Sequence, residues 1–341
     1  MSFEIPNPHN ACFRDFFKDP EFVKAFIKYH IPEEICSLLD LDTLQVDLSG
    51  FVSEEHREYY ADVMVTVQLK GHTENVNIYI LLEHKSTPEF LTRLQVLNYE
   101  VQKWMELKRT GQLRGYLPVI IPVVIYHGKG SWSYSRKFSD LFDLPSEVLR
   151  PFVPEFKHMI YDISSMQDDE FKTTTILEIF HLLFKYIHYP ELETKLQKIY
   201  ELLETIPDQD KVKKYLQAIV QYVAVQGPIS LERLGEYTRR LPGGDEAMQT
   251  AAQQIRQEVY NEFKQEQEKI LVEREKQAEL KATQENLIKS LKMRFEIVQP
   301  DMKNRIRSLE SLDAVNDLFE LSFKCSSLDE FTNYFNKLSK E

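Results

Sequence analysis

The sequence predicts an α/β protein, a mixed sheet flanked by helices and followed by a mainly helical C-terminal region. Three observations carry that expectation. Two β-rich runs, 59–69 (YYADVMVTVQL) and 76–86 (VNIYILLEHKS), flank the turn-forming segment GHTEN, which is the grammar of a hairpin. A helical stretch from Pro88 to Arg109 then leads to a third apolar run, 117–126 (LPVIIPVVIY). Strand, helix, strand in that order reads as a crossover between parallel strands. Beyond residue 150 the pattern is almost wholly helical.

The first fifty residues read as helical. Asp19-Pro20 opens a helix through EFVKAFIKYH, with Asp at the N-cap and Pro at the first helical position. Ile31-Pro32 ends it, and Pro32-Glu33-Glu34 starts another. In the second β-rich run, IYILL is apolar on both faces, as a central buried strand is. Thr87 offers an N-cap to the helix that follows. Pro118 and Pro122 lack the N–H that a ladder needs, which places part of the third strand at an edge or a bulge.

Helices are expected over Lys172–Tyr189, Pro190–Leu203 and Asp210–Gln226. The segment 241–246 (LPGGDE) carries the only Gly pair in the chain and is the clearest linker. From Ala252 to Leu291 runs a long polar helix with a thin apolar stripe at Ile255, Val259, Phe263 and Ile270. A second stripe, at Leu280, Leu287 and Leu291, is out of register with it. Such stripes resemble a short coiled coil, which predicts a homodimer through this helix. A solvated connector helix is the plainer alternative.

Composition narrows the function classes. With 42 Lys and Arg against 54 Asp and Glu the chain carries a net charge of −12, so any nucleic acid must be held by a local basic patch or a metal ion, not by the overall field. No apolar run approaches the roughly 18 residues that a membrane span needs, and the N-terminus MSFEIPNPHN lacks a signal-peptide pattern. Three scattered cysteines, Cys12, Cys36 and Cys325, argue against a disulfide framework or a cysteine zinc site. A reducing, cytoplasmic setting is expected.

The chemistry-bearing residues lie on the predicted hairpin. Asp62 sits in the first strand. Glu83 and Lys85 end the second, two residues apart, so both point to one face and His84 to the other. Charges at strand ends in an apolar sheet are costly unless they pair or bind a cation. Asp62 and Glu83, with the backbone carbonyl of His84, form a set of hard oxygen ligands suited to Mg²⁺ or Mn²⁺. A metal there polarises a phosphoryl group and acidifies bound water, and Lys85 would position that water or stabilise developing charge. An E-x-K alone is common, and a simple Glu83–Lys85 ion pair is the plain alternative. On the crossover helix Gln95 and Tyr99 share a face, with Gln95 placed to touch a phosphate or metal-bound water and Tyr99 to line a groove. Lys103, Lys108, Arg109 and Arg114 follow as the best local basic patch.

The ordered string PHNACFRDFFKDPEFVKAFI, HIPEEICSLLDLDTLQV, YYADVMV, ILLEHKSTPE and LPVIIPVVIYHGKGSW resembles the recombination-promoting nucleases, also labelled putative transposases, within the PD-(D/E)XK nuclease superfamily. The resemblance implies a restriction-endonuclease-like core over 1–150. On that frame the rest divides into a helical region packed on the core (151–240), the long polar helix (245–295) and a small C-terminal helical region (296–341). It implies metal-dependent cleavage of DNA, linked to recombination or mobile elements, with Asp62, Glu83, Lys85 and Gln95 as catalytic residues. Asp62 matches the family's strand aspartate, and Glu83 the glutamate of its L-E-H-Q-S motif. Lys85 stands where many members have Gln, Asn10 where many have Asp after His9, and Ala61 where the superfamily has Pro. Gln95 and Tyr99 are similar to the Q-x-x-x-Y helix of RecB-like nucleases. Two other functions fit the same residues: an RNase, or a nuclease fold without activity that assembles through its helical half.

Overall fold

The structure is a computed structural model that describes residues 8–48, 63–71, 77–113, 115–171 and 173–338. Asp62 and Arg114 lie outside them. The chain divides into two compact units, Met1–Ile255 and Arg256–Glu341.

In the first unit three helices, α1 (Pro8–Phe17), α2 (Pro20–His30) and α3 (Glu33–Cys36), precede the sheet. Asp19 caps α2, its side chain accepting from the backbone N–H of Glu21 at 3.0 Å, with Pro20 at the first helical position, as the Asp-Pro pair predicts. The expectation of helix through residue 50 is corrected here, because Leu39–Asp47 is a strand, β1. Its residues LDLDTLQVD alternate, a period-two signal. The register with β2 (Val63–Leu69) shifts between Asp40 and Gln45. Thr43 spans that irregularity, its hydroxyl donating to the Asp40 carbonyl at 2.7 Å and accepting from the Gln68 N–H at 3.0 Å.

The predicted hairpin is present: β2 pairs antiparallel with β3 (Asn77–Lys85), Val63 opposite Leu82. The crossover follows through α4 (Thr92–Arg109) to β4 (Ile120–Tyr126), which pairs parallel with β3. A short strand, β5 (Met159–Asp162), closes the sheet in the order β1-β2-β3-β4-β5. The prolines find their places in this register. Pro118 precedes β4, and Pro122 pairs with Leu81 of β3 one residue before β5 joins at Val123, so its missing N–H interrupts no ladder on the β5 side. The helix α4 starts at Thr92, not at Pro88, and Leu91 at its N-cap makes no side-chain cap.

The sheet is covered on both faces, and alternation decides which residue meets which layer. Val63, Val65, Ile80, Leu82 and Ile125 join the large core formed with α1, α2 and the helices α5 (Thr175–Tyr186), α6 (Leu192–Glu204) and α7 (Gln209–Gln226). That core is rich in Phe: Phe13, Phe16, Phe17, Phe26, Phe180 and Phe184 are fully buried. On the other face Met64, Tyr79, Leu81 and Val124 pack with Val96, Tyr99 and Leu107 of α4. The stretch between β4 and α5 is mostly irregular with short 3₁₀ turns, apart from β5.

After α8 (Leu231–Thr238) the Gly pair serves as a tight turn into α9 (Gly244–Phe295) rather than as a free linker. Gly243 has φ of +82°, a conformation that favours glycine. Leu241, Ala247, Met248 and Ala251 around it are buried in the first unit's core.

In the second unit Leu287, Ile288 and Leu291 of α9 pack with α10 (Pro300–Arg307), α11 (Leu312–Lys324) and α12 (Leu328–Leu338) through Ile306, Val315, Leu318 and Phe331. The second sequence stripe is therefore the core of this small unit. The first stripe is different: Val259 and Phe263 are exposed by 59% and 63%. No helix among the described residues is long and apolar enough to cross a membrane.

Candidate active site

The sheet presents its candidate chemistry where β3 ends. Glu83 and Lys85 fall on the same face as Tyr79 and Leu81, the face that α4 covers. Glu83 is buried, with 3% of its surface exposed. A carboxylate there needs donors, and α4 supplies one. Gln95 donates through Nε2 to Glu83 Oε1 at 3.0 Å and to the Tyr99 hydroxyl at 2.6 Å. Its Oε1 accepts from Lys85 Nζ at 2.7 Å. Lys85 Nζ lies 3.5 Å from Glu83 Oε1 and donates to Glu89 Oε2 at 3.2 Å. Glu83, Lys85, Gln95 and Tyr99 thus form one connected network, with the amide of Gln95 at its hub. A primary amide suits that position because it donates to the carboxylate and accepts from the ammonium at once.

His84 faces the opposite way, as the period of two requires. Its Nδ1 lies 3.1 Å from Asn10 Oδ1, and its ring stacks on His127 at a centroid distance of 4.6 Å. Asn10 therefore contacts the face behind Glu83.

The proposed nucleic-acid residues separate. Tyr99 is fully buried under Gln95, so it braces the network and does not line an open groove. Lys103 is 7% exposed, ion-paired with Glu106 at 2.8 Å, with Nζ 5.2 Å from the centre of the Tyr79 ring. Arg109 and Lys108 are exposed at the C-terminal end of α4.

Two acidic residues near this site were missed in the sequence. Glu89 reaches Lys85 from the turn before α4. Glu100 follows Tyr99 and is 4% exposed, and burial pushes its carboxyl up to about 7. The signal for Glu100 was present: Val96, Tyr99, Glu100 and Lys103 share one helix face, and an acid on an apolar face is a candidate for an altered proton affinity.

Three further histidines gather behind the sheet. His9, His127 and His188 each bring a ring nitrogen within 4.8 Å of the other two. Burial holds His9 down to about 4 and keeps His127 and His188 below the usual histidine range. All three rings are therefore neutral at pH 7.

The family described as "Putative transposase, YhgA-like" matches residues 7–214, a span that holds the whole sheet, the Glu83–Gln95 network and the three histidines. Recombination-promoting nuclease RpnD of Escherichia coli O157:H7 is 26% identical over 257 residues, 74% of this chain and 96% of that protein. Recombination-promoting nuclease RpnA of Escherichia coli K12 is 27% identical over 256 residues, 74% of this chain and 84% of that protein. A protein of the same strain called inactive recombination-promoting nuclease-like protein RpnE is 28% identical over 255 residues, again 74% of this chain and 82% of that protein. No solved structure matches. With more than half of its length matched, the chain belongs to the YhgA-like putative transposase family.

Proposed function

We propose that this protein is a metal-dependent DNA endonuclease linked to recombination or mobile elements, with a PD-(D/E)XK core. The observation that carries the reading is the network at the end of β3, in which Gln95 bridges the buried carboxylate of Glu83 and the ammonium of Lys85. The names of the relatives agree with a nuclease.

Glu83 would be one ligand of Mg²⁺ or Mn²⁺, with Asp62 and the His84 carbonyl as the others. All three donors are hard oxygens, the chemistry that such ions prefer. The case for Asp62 rests on its chain neighbours. Val63 pairs with Leu82, beside Glu83, and Met64 lies on the α4 side. When bound, the ion supplies Lewis-acid polarisation of the phosphate and a more acidic water.

The protein's own groups do the rest. Gln95 fixes the carboxylate of Glu83 and the head of Lys85 in one geometry. Lys85 holds a positive charge where negative charge develops on the phosphate oxygens. Tyr99 anchors Gln95 from below. Arg109 and Lys108 offer exposed cations for the backbone of the substrate, which would make binding weak and strongly salt-dependent for a chain of this net charge.

The test is cleavage of plasmid, linear DNA and RNA with and without Mg²⁺ or Mn²⁺, beside Glu83→Ala. DNA cleavage that needs the ion and vanishes in E83A is expected. Cleavage of RNA alone would make the protein an RNase with the same site. Activity that survives excess chelator or the E83A change rejects the assignment.

A second reading has its own observation. Val259, Tyr260, Phe263 and Leu271 leave apolar surface exposed on α9, as an interaction protein that assembles through its helical half would. That surface is also where a homodimer would form, and two active sites suit cutting both strands of a duplex.

A further inference from the structure

We propose that His9, His127 and His188 form a second metal site, one that takes a borderline transition ion such as Zn²⁺ through three imidazoles and leaves a fourth position for water. The site is separate in chemistry from the oxygen set at Glu83. Imidazole suits Zn²⁺, Cu²⁺ and Ni²⁺, whereas Mg²⁺ prefers oxygen.

The argument starts from one ring. His127 is fully buried at the end of β4. Its Nδ1 lies 3.2 Å from the backbone carbonyl of Phe184 in α5. A carbonyl only accepts, so Nδ1 carries the proton and Nε2 of the neutral ring holds a bare lone pair. Nε2 has no hydrogen-bond partner among the described residues. A buried acceptor in that state is costly, and a metal ion satisfies it. Donation of the other ring N–H to a backbone carbonyl is also how ligating histidines are commonly oriented.

The neighbours complete the set. His9, in the first turn of α1, is held through Nδ1 by the Tyr222 hydroxyl of α7 at 2.6 Å. Its ring centre lies 5.2 Å from that of His127 and 5.3 Å from that of His188. His188 follows α5 and is only half-buried, its ring parallel to that of His127 within 6° at 5.7 Å. The ligand nitrogens lie within 4.8 Å of one another, and bonds of about 2.0 Å in a tetrahedral site bring them to about 3.3 Å. His188, half-buried where the other two are buried, is the least confined of the three. The three ligands come from α1, β4 and the turn after α5, segments far apart in sequence, so the ion ties them together. The backbone N–H of His127 donates to the Lys85 carbonyl at 3.1 Å. Fixing His127 therefore also steadies the end of β3 that carries Glu83.

The test uses the full chain without a histidine tag, dialysed against chelator and titrated with Zn²⁺ and with Co²⁺. One equivalent is expected to bind, with the visible absorption of four-coordinate Co²⁺ and a rise in melting temperature under Zn²⁺. His188→Ala, on the half-buried ring, keeps the fold by circular dichroism. It weakens Zn²⁺ binding by more than about 100-fold, beyond the loss that removal of an outer partner causes, and abolishes the melting shift. Glu83→Ala leaves Zn²⁺ binding unchanged, which separates this site from the nuclease reading. The proposal is overturned if neither ion binds at one equivalent, if H188A binds as tightly as the parent chain, or if E83A removes the binding.

Discussion

Acidification should destabilise the first unit well above the pH at which its carboxylates ordinarily protonate. His9, His30 and His158 each have a folded pKa lowered from 6.5 to about 4, chiefly by burial. Between those values the unfolded chain binds more protons than the native one. Their stabilisation is therefore present above 6.5 and is lost as pH falls towards 4. From about pH 7.5 to about pH 5 each such group costs about 2 kcal/mol, or about 6 kcal/mol for three. His84, His127 and His181 lie well below 6.5 for the same reason and add in the same direction. Glu100 opposes them. Its carboxyl is raised from 4.5 to about 7, so the native state binds the extra proton, and acidification over the same range returns about 2 kcal/mol. Even before His84, His127 and His181 are added, the loss of about 4 kcal/mol is a large part of a typical stability of about 5–15 kcal/mol. For a unit of this size it lowers the melting temperature by roughly 10 °C. Thermal melts followed by circular dichroism at fixed ionic strength measure it, and Glu100→Gln, which removes the opposing term, should deepen the fall. A melting temperature unchanged or higher at the acid end refutes the burial argument.

Three further outcomes follow from the geometry. Lys85→Ala should slow cleavage at least about 100-fold, in the range of a lost charge-stabilising donor, while calorimetry shows Mg²⁺ binding largely retained; loss of metal binding contradicts the role given to Lys85. Arg109→Glu should weaken DNA binding and flatten its salt dependence without moving the melting temperature, whereas Lys103→Glu should destabilise the fold, because Lys103 is buried over Tyr79; equal stability of the two variants would show that the burial of Lys103 is unimportant. The full chain should sediment as a dimer at tens of micromolar, and Val259→Lys with Phe263→Lys should make it monomeric; a monomeric parent chain removes the dimer.

What could be read in the sequence was what depends on local pattern. The hairpin and crossover around β2, β3 and β4 follow from alternation and turn residues, and the shared face of Glu83 and Lys85 follows from the strand period alone. Helical spacing places Gln95 and Tyr99 together, whereas only tertiary packing sets how α4 lies over β3 and brings that face to Glu83. β1 reads as helix because it follows the helix starts at Asp19-Pro20 and Pro32-Glu33-Glu34, and because its alternation breaks near Thr43, where the register with β2 shifts. β5 has four residues, too few for a periodic signal. Lys103 reads as a surface cation because nothing local shows that Tyr79, more than twenty positions earlier, lies beneath it. The histidine cluster was out of reach for a similar reason: His9, His127 and His188 meet only after α1, β4 and α5 have packed.

The two candidate sites are linked by the geometry of one strand. Along β3 the side chains of Glu83 and Lys85 turn towards α4, and that of His84 turns towards α1 and His127. A slip of one residue in the β2–β3 register would exchange the two faces, burying the carboxylate among the Phe side chains and the imidazole against Gln95. Apolar residues line both faces of β3, so the slip is opposed chiefly by its polar end, where it would part Glu83 and Lys85 from Gln95 and bury both charges without a partner. The register of β3 thus sets that Glu83 and Lys85 face α4 and that His84 faces His127. A polar substitution at Leu82 should therefore damage both sites together, whereas Glu83→Ala should remove only one. Zn²⁺ binding and DNA cleavage measured on the same pair of variants separate a shared scaffold from two independent sites. If a folded Leu82→Asn protein kept either property in full, the coupling through β3 would be wrong.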